Sequence, residues 1–363
     1  PGQTAVLLAS VFRDACAPGE KAAAWRPFFA KDWVGWHLTG VLCTDSTDAY
    51  AGGLIDPAGR PLTGREVDVR PPGAVRGAVT PEAAEATGLR RGTPVAVGCI
   101  DLAASALGCG RASPGERVSI AGSWSIDVQL APGMAASPVV NWVRAASDGL
   151  WMAALYTPAG TLVLDPLVRR YGLGFAEAEA CARKAAQSPS SPLFEPDDES
   201  EAFTAPSSLE ANRAEISPVA AGLLKASPPE ALYSAYEGLA FLHRWHLEVL
   251  ASSTGAELSG RPLALAGGLA ASRFWASLLA GALGEEIESY GDVEAASRGA
   301  AMCAGVAVGA YGSWSEAARA AGAGERIGLG DVDVKALASR YESWRAKREK
   351  RLRSKPDGGN VTE

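Results

Sequence analysis

An α/β protein of two lobes is the fold class this sequence predicts, on three observations. Short apolar runs of strand length alternate with longer amphipathic runs in both halves. Small-residue turns follow two of those runs, at Gly122-Ser123 and at Gly267-Gly268. The chain's 363 residues, 47% hydrophobic and 21% charged, suffice for two separate cores.

Residues 1 to about 40 read as helices, with Leu7, Leu8, Val11 and Phe12 on one face and Phe28, Phe29, Trp33 and Trp36 on another. Trp25, Trp33 and Trp36 are assigned to the core. Thr39-Gly40 closes the second helix, glycine being the usual residue past a helix end. The polar stretch from Thr44 to Leu62 reads as a loop holding a short helix. Pro94 to Cys99 is predicted as a buried strand with Asp101 at its carboxyl end and a helix from Leu102. Gly108 to Gly115 is a turn, and Val118 to Ala121 a strand.

Beyond Gln129, Trp142 to Tyr156 and Leu162 to Tyr171 read as helices, and Phe175 to Gln187 as an alanine-rich one. Residues 188–218, rich in proline, serine and acid, form a long loop. Pro228 to Ser253 is a long amphipathic helix. Leu263 to Ala266 is a short strand, followed by the glycine turn and an amphipathic helix. A second strand and a small-residue helix opening near Glu294 come next. The last helix runs from Val332 to about Leu352 and ends in a solvated basic tail.

A net charge of −7 argues against nucleic acid as a partner. No apolar run has membrane-spanning length, and no basic-then-apolar leader is present. The six cysteines are far apart with no C-x-x-C pair, which fits buried thiols in a reducing cytoplasm. His243 and His246 are spaced for a metal on the long helix, but no third ligand is near them in sequence. No G-x-x-x-x-G-K-[ST] or G-x-S-x-G motif occurs.

Asp101 follows a strand and opens a helix, where open α/β sheets place ligands. From position alone it is either a helix cap or a catalytic carboxylate. Gly122-Ser123-Trp124-Ser125 reads equally as a hairpin turn or as a phosphate-holding turn. The glycine pair at 267–268 lets backbone N–H groups approach a nucleotide with no Cβ in the way.

In order, these segments resemble the FGGY family of carbohydrate kinases, which have the actin-like ATPase (ribonuclease H-like) fold. KDWVGWHLTG (Lys31 to Gly40) and TDSTDAYAGGLID (Thr44 to Asp56) look like the family's K-D-x-x-x-x-x-L-T-G and T-D-x-T-D-A segments. TPVAVGCIDLAASALGCG with the GSWS turn stands where the family carries G-x-x-D and G-T-S. AYEGLAF, AGGLAASRFW and EAASRGAA follow.

The resemblance implies ATP-dependent phosphorylation of a sugar or polyol hydroxyl, with ATP and Mg2+ as cofactors. Asp101 would be the general base. Gly122, Ser123, Gly267, Gly268, Leu269 and Ser272 would contact the nucleotide. It further implies a first lobe over residues 1–121, a nucleotide lobe over 122–345 and a disordered tail over 346–363. The family's leading D-x-G-T hairpin has no match here, so the first lobe is expected to be incomplete, with apolar edges uncovered. Little activity is then expected of this chain alone, and the expected partner is a second copy or a complementing N-terminal segment. Leu102 replaces a polar residue, Gly267-Gly268-Leu269 replaces G-G-G, and an acidic loop from Pro192 to Pro206 replaces an aromatic, arginine-containing segment. The alternative is a non-catalytic relic that binds a nucleotide, a sugar or a protein.

Overall fold

The computed structural model describes residues 28–62, 67–137, 139–147, 149–186, 191–196, 223–291, 294–330 and 332–354. The helical face of Leu7 to Phe12, Cys16, Trp25 and most of the 188–218 loop lie outside the described residues.

The first part of the chain holds α1 (Ala30–Thr39), β1 (Thr44–Asp45), α2 (Ser46–Ala51), β2 (Val69–Arg70), β3 (Val75–Ala78), α3 (Pro81–Thr87), β4 (Pro94–Ala96) and α4 (Asp101–Gly108). β1 pairs in parallel with β2, and β3 pairs antiparallel with β4. α1 ends on Gly40 in the left-handed region (φ 72°), as its sequence predicts. Trp33 and Trp36 are not core residues: they are 51% and 40% exposed. The buried stripe of α1 is Asp32, Gly35 and Thr39, because Asp32 is drawn inward by Arg76 at 2.6 Å. That register turns the indoles outward. The predicted buried strand before Asp101 shrinks to Pro94–Ala96, since β4 has a partner on one side only; Val97 and Cys99 supply the burial.

The second part holds β5 (Arg117–Ala121), β6 (Ser125–Ala131), β7 (Asn141–Arg144), β8 (Trp151–Thr157), α5 (Thr161–Arg170), α6 (Phe175–Arg183), α7 (Pro228–Thr254) and β9 (Leu263–Ala266). It continues with α8 (Arg273–Leu283), β10 (Ile287–Ser289), α9 (Ala295–Ala307), α10 (Trp314–Ala320), β11 (Glu325–Ile327) and α11 (Val334–Ser354). Its strands form a seven-stranded sheet in the order β11-β10-β9-β5-β6-β8-β7. β9 runs parallel to both β5 and β10, and the other pairings are antiparallel.

Three expectations change here. Trp142 to Tyr156 is a hairpin, not a helix: β7 and β8 pair from Asn141 with Ala154 to Arg144 with Trp151. The Asp148-Gly149 pair is its turn signal, and Gly149 sits at φ 75°. A lobe boundary at residue 121 would cut β5 from its partners, because β5 is hydrogen-bonded to β6 and to β9. The basic tail begins later than 346, because α11 continues to Ser354. Arg348, 3% exposed, lies over the Trp245 ring, and Arg351 reaches the buried Glu195 at 2.8 Å, which holds the helix on.

Side-chain alternation divides the hydrophobic core between the two sheet faces. Val118, Val128, Met152 and Ala154 face α4 and α9. Ala121, Leu263, Leu265 and Ile287 face α7, α8 and α11. α4 and α9 touch backbone to backbone: a Cβ on Gly108 would overlap the Ala295 carbonyl, and one on Gly299 the Ala104 carbonyl. Arg298 completes the contact by donating to the Gly108 carbonyl at 2.6 Å.

Gly299→Ala is expected to destabilise the protein by about 1–3 kcal/mol, because the clash is with backbone that cannot rotate away. Gly133→Ala, at a site with open space around it, should stay within about 0.5 kcal/mol. Urea unfolding of the two variants checks both.

Candidate functional site

Parallel strands of one sheet finish at the same edge, so β5 and β9 deliver their following turns side by side. Gly122-Ser123 follows β5 and Gly267-Gly268 follows β9. Gly267 has φ 90°, and a Cβ there would meet the Ala121 carbonyl oxygen at 2.7 Å. Only glycine lets the two turns approach this closely. Gly122 and Gly268 have open space where a Cβ would stand, and Ser123 is exposed. The Gly122 amide donates to Trp124 O at 3.1 Å, closing the hairpin, while its carbonyl accepts from Thr161 at 2.8 Å.

Two other sequence candidates are turned away from this edge. Leu269 is 6% exposed and packs into the second core, so only its backbone faces the turn. Ser272 caps α8 by accepting from the Trp275 amide at 3.0 Å.

Asp101 is the first residue of α4 rather than its cap, and it is exposed. Its Oδ1 accepts from the Leu102 amide at 2.7 Å. Its side chain borders a cavity of about 340 Å³ that reaches Ile120 and Ile126, the residues flanking the Gly122–Ser125 turn. One cavity therefore joins the carboxylate to the foot of the glycine–serine turn.

Residues 135–308 match the model described as "FGGY family of carbohydrate kinases, C-terminal domain".

That stretch is an FGGY-family domain.

Gly267 to Ser272 lies inside the FGGY span, whereas Asp101 and Gly122-Ser123 precede it. The fold is that of solved carbohydrate kinases. A xylulose kinase from Brucella ovis superposes with a TM-score of 0.75 at 19% identity, over 95% of this chain and 72% of that one. A xylulose kinase from Rhodospirillum rubrum gives 0.72 at 22% identity, over 96% and 72% of the two chains. Glycerol kinase from Plasmodium falciparum, solved with ADP, gives 0.67 at 17% identity, over 90% and 66%. In sequence, an autoinducer-2 kinase from Enterobacter is 33% identical over 121 residues, and that of Escherichia coli K12 is 35% identical over 112. These alignments cover 30% and 28% of this chain but only 23% and 21% of the relatives' own length.

Ahead of the FGGY domain, a buried polar chain leads to Asp101. Asp45 caps α2, accepting from the Thr47 amide at 2.6 Å and from the Thr47 hydroxyl. The Thr47 hydroxyl oxygen in turn accepts from the Ile100 amide at 2.8 Å, fixing the residue that precedes Asp101. Lys31 sits among Asp32, Asp45 and Asp48 at 2.7, 2.7 and 3.1 Å. Burial and the neighbouring Asp45 charge push the Asp48 carboxyl up to about 7 against the pull of Lys31. The sequence marked this segment as a loop with a short helix and as the family-like T-D-x-T-D-A stretch, without giving Asp45 or Thr47 a role; its T-D-x-T-D spacing was the signal for the network.

His243 and His246 hold no metal site: among the described residues no group of three His, Cys, Asp or Glu could bind an ion. Both donate through Nδ1 to the carboxylate of Asp127, on the opposite sheet face from Asp101, each at 2.9 Å. Ser119 also donates to Asp127, and His246 Nε2 lies 3.1 Å from the Thr157 hydroxyl. Burial works to raise the Asp127 pKa, but the two histidines outweigh it and hold it down at about 2. The signal missed in sequence was Ser119 and Asp127 recurring on the inward face of adjacent strands, opposite the His pair.

Asp127 binds its proton less readily folded than unfolded. Its contribution is therefore complete above the ordinary carboxylate range and is lost as pH falls through about 2. Urea midpoints measured between pH 5 and pH 2 should show ~2 kcal/mol of this loss in the native sequence. Asp127→Asn should be less stable at pH 5 and flatter over that window.

Proposed function

We propose that this chain takes part in ATP-dependent phosphorylation of a sugar or polyol hydroxyl, with the acceptor in the cavity at Asp101. The observation that supports the reading is the single edge at which Asp101's cavity, Gly122-Ser123 and Gly267-Gly268 converge. The FGGY domain and the fold shared with solved xylulose and glycerol kinases give the chemistry its class.

Asp101 accepts the proton of the acceptor hydroxyl as that oxygen attacks the γ-phosphorus. The bond between the γ-phosphorus and the bridging oxygen to the β-phosphate breaks, and ADP leaves with that electron pair. Phosphate oxygens are held by exposed backbone amides of the two turns and by the Ser123 hydroxyl. The open space at Gly122 and Gly268 is room that a side chain would take from the nucleotide. The magnesium that the family implies finds no three-ligand set among the described residues.

A second reading, a nucleotide- or sugar-binding module without turnover, is supported by the burial of Leu269 and the use of Ser272 as a helix cap. Phosphorylation assays with pentuloses and polyols separate the two. In the kinase reading, Asp101→Asn lowers turnover by about 10²–10⁴-fold and leaves nucleotide affinity unchanged. Nucleotide binding without any product, in the native sequence, would leave the module. Gly268→Val should weaken nucleotide binding about tenfold or more in either case, read by calorimetry.

A further inference from the structure

Two buried thiols meet just ahead of Asp101. Cys99 stands in the segment between β4 and α4, two residues before Asp101, and Cys303 stands in α9. Their sulfurs are 3.6 Å apart, although the residues are 204 positions apart in the chain. Among the described residues no other pair of cysteine sulfurs is in contact. A disulfide needs the two sulfurs about 1.5 Å closer, at ~2.05 Å. α9 cannot supply that approach, because Gly299, one turn before Cys303, already lies against the Ala104 carbonyl. Cys99 can. Gly98 before it has φ 80° and open space where a Cβ would stand, which leaves the backbone room to turn.

We infer that Cys99 and Cys303 are a peroxide-reactive pair that closes to a reversible disulfide, stapling the chain ahead of Asp101 to α9. Cys99, 9% exposed against 0% for Cys303, meets the oxidant first. Its sulfur attacks, as thiolate, one oxygen of the peroxide. The O–O bond breaks, the departing hydroxide takes a proton to become water, and Cys99 is left as a sulfenic acid. Cys303 then gives up its proton and attacks the Cys99 sulfur, the S–O bond breaks, and a second water leaves. Two thiols have lost two electrons and two protons, and one peroxide has become two waters. The hydrogen bond to Cys303 and burial hold the Cys99 thiol well above its usual range, so the pair rests reduced and the first step is slow. The second step is fast, because the partner thiol is already in place. The sulfenic acid is captured before another peroxide reaches it.

The test treats the full chain with hydrogen peroxide and maps its peptides by mass spectrometry. The Cys99 and Cys303 peptides should appear joined, lighter by two hydrogens than their sum, and dithiothreitol should separate them again. The bond closes a loop of about 200 residues, so the urea midpoint should rise by about 1 M over the reduced form. Cys99→Ala and Cys303→Ala, in different parts of the fold, should each abolish both the cross-link and the rise; two sites guard against one variant failing to fold. Peptides that stay unlinked, or that link to a different cysteine, overturn the inference, as does Cys99 carried on to the sulfinic acid. A cross-link that leaves the midpoint unchanged or lowers it means that the fold distorts to admit the bond, and overturns the inference too.

Discussion

The parallel pairing of β5 with β9 is the constraint on which the rest depends. It sets Val118 against Ala264 and Ile120 against Ala266, so two turns separated by well over a hundred residues of chain end at one edge. Every other element of the second part serves that register. β6 and β8 extend the sheet on one side and β10 on the other, while α7 and α8 fill one face and α4 and α9 the other. A one-residue slip would reverse the faces of β9 and drive Leu263 and Leu265 out of the core they fill.

Close approach is the second theme, and it is achieved by removing side chains. At the edge, Gly267 lets one turn lie against the Ala121 carbonyl. Between α4 and α9, Gly108 and Gly299 allow contact at backbone distance. The small-residue helix α9 is therefore built for contact with the helix that opens on Asp101. Its Arg298 adds a charged cap to the carboxyl end of α4, where a cation suits the helix dipole.

Much of this architecture was legible in the sequence, and the misses have physical causes. The strands around Gly122 and Gly267 and the long helix from Pro228 stand where periodicity and turn residues put them. The β7–β8 hairpin was missed because Trp142, Val143, Trp151, Met152 and Leu155 form apolar runs too dense for the two-residue alternation to show. Only the Asp148-Gly149 pair between them carried the turn. Trp33 and Trp36 misled because aromatic weight suggests burial, whereas a buried ion pair at Asp32 fixed the helix the other way round. Of the candidate site residues, Asp101 and the glycines could be placed at a helix start and at strand ends because their motifs are local. The roles of Ser272 and Leu269 could not, since capping and core packing are settled by tertiary neighbours. The same holds for Thr47 and Asp127, whose partners stand far from them in sequence.

α4 is only eight residues long, and both its ends are tied to other parts of the molecule. Thr47, in α2, holds the amide just before it, and Arg298, in α9, holds its last carbonyl. Such a helix is a strut between α2 and α9. A displacement of either must break one tie or carry the strut along, and Asp101 rides on its end. The orientation of that carboxylate is thus set through backbone by two side chains remote from it in sequence.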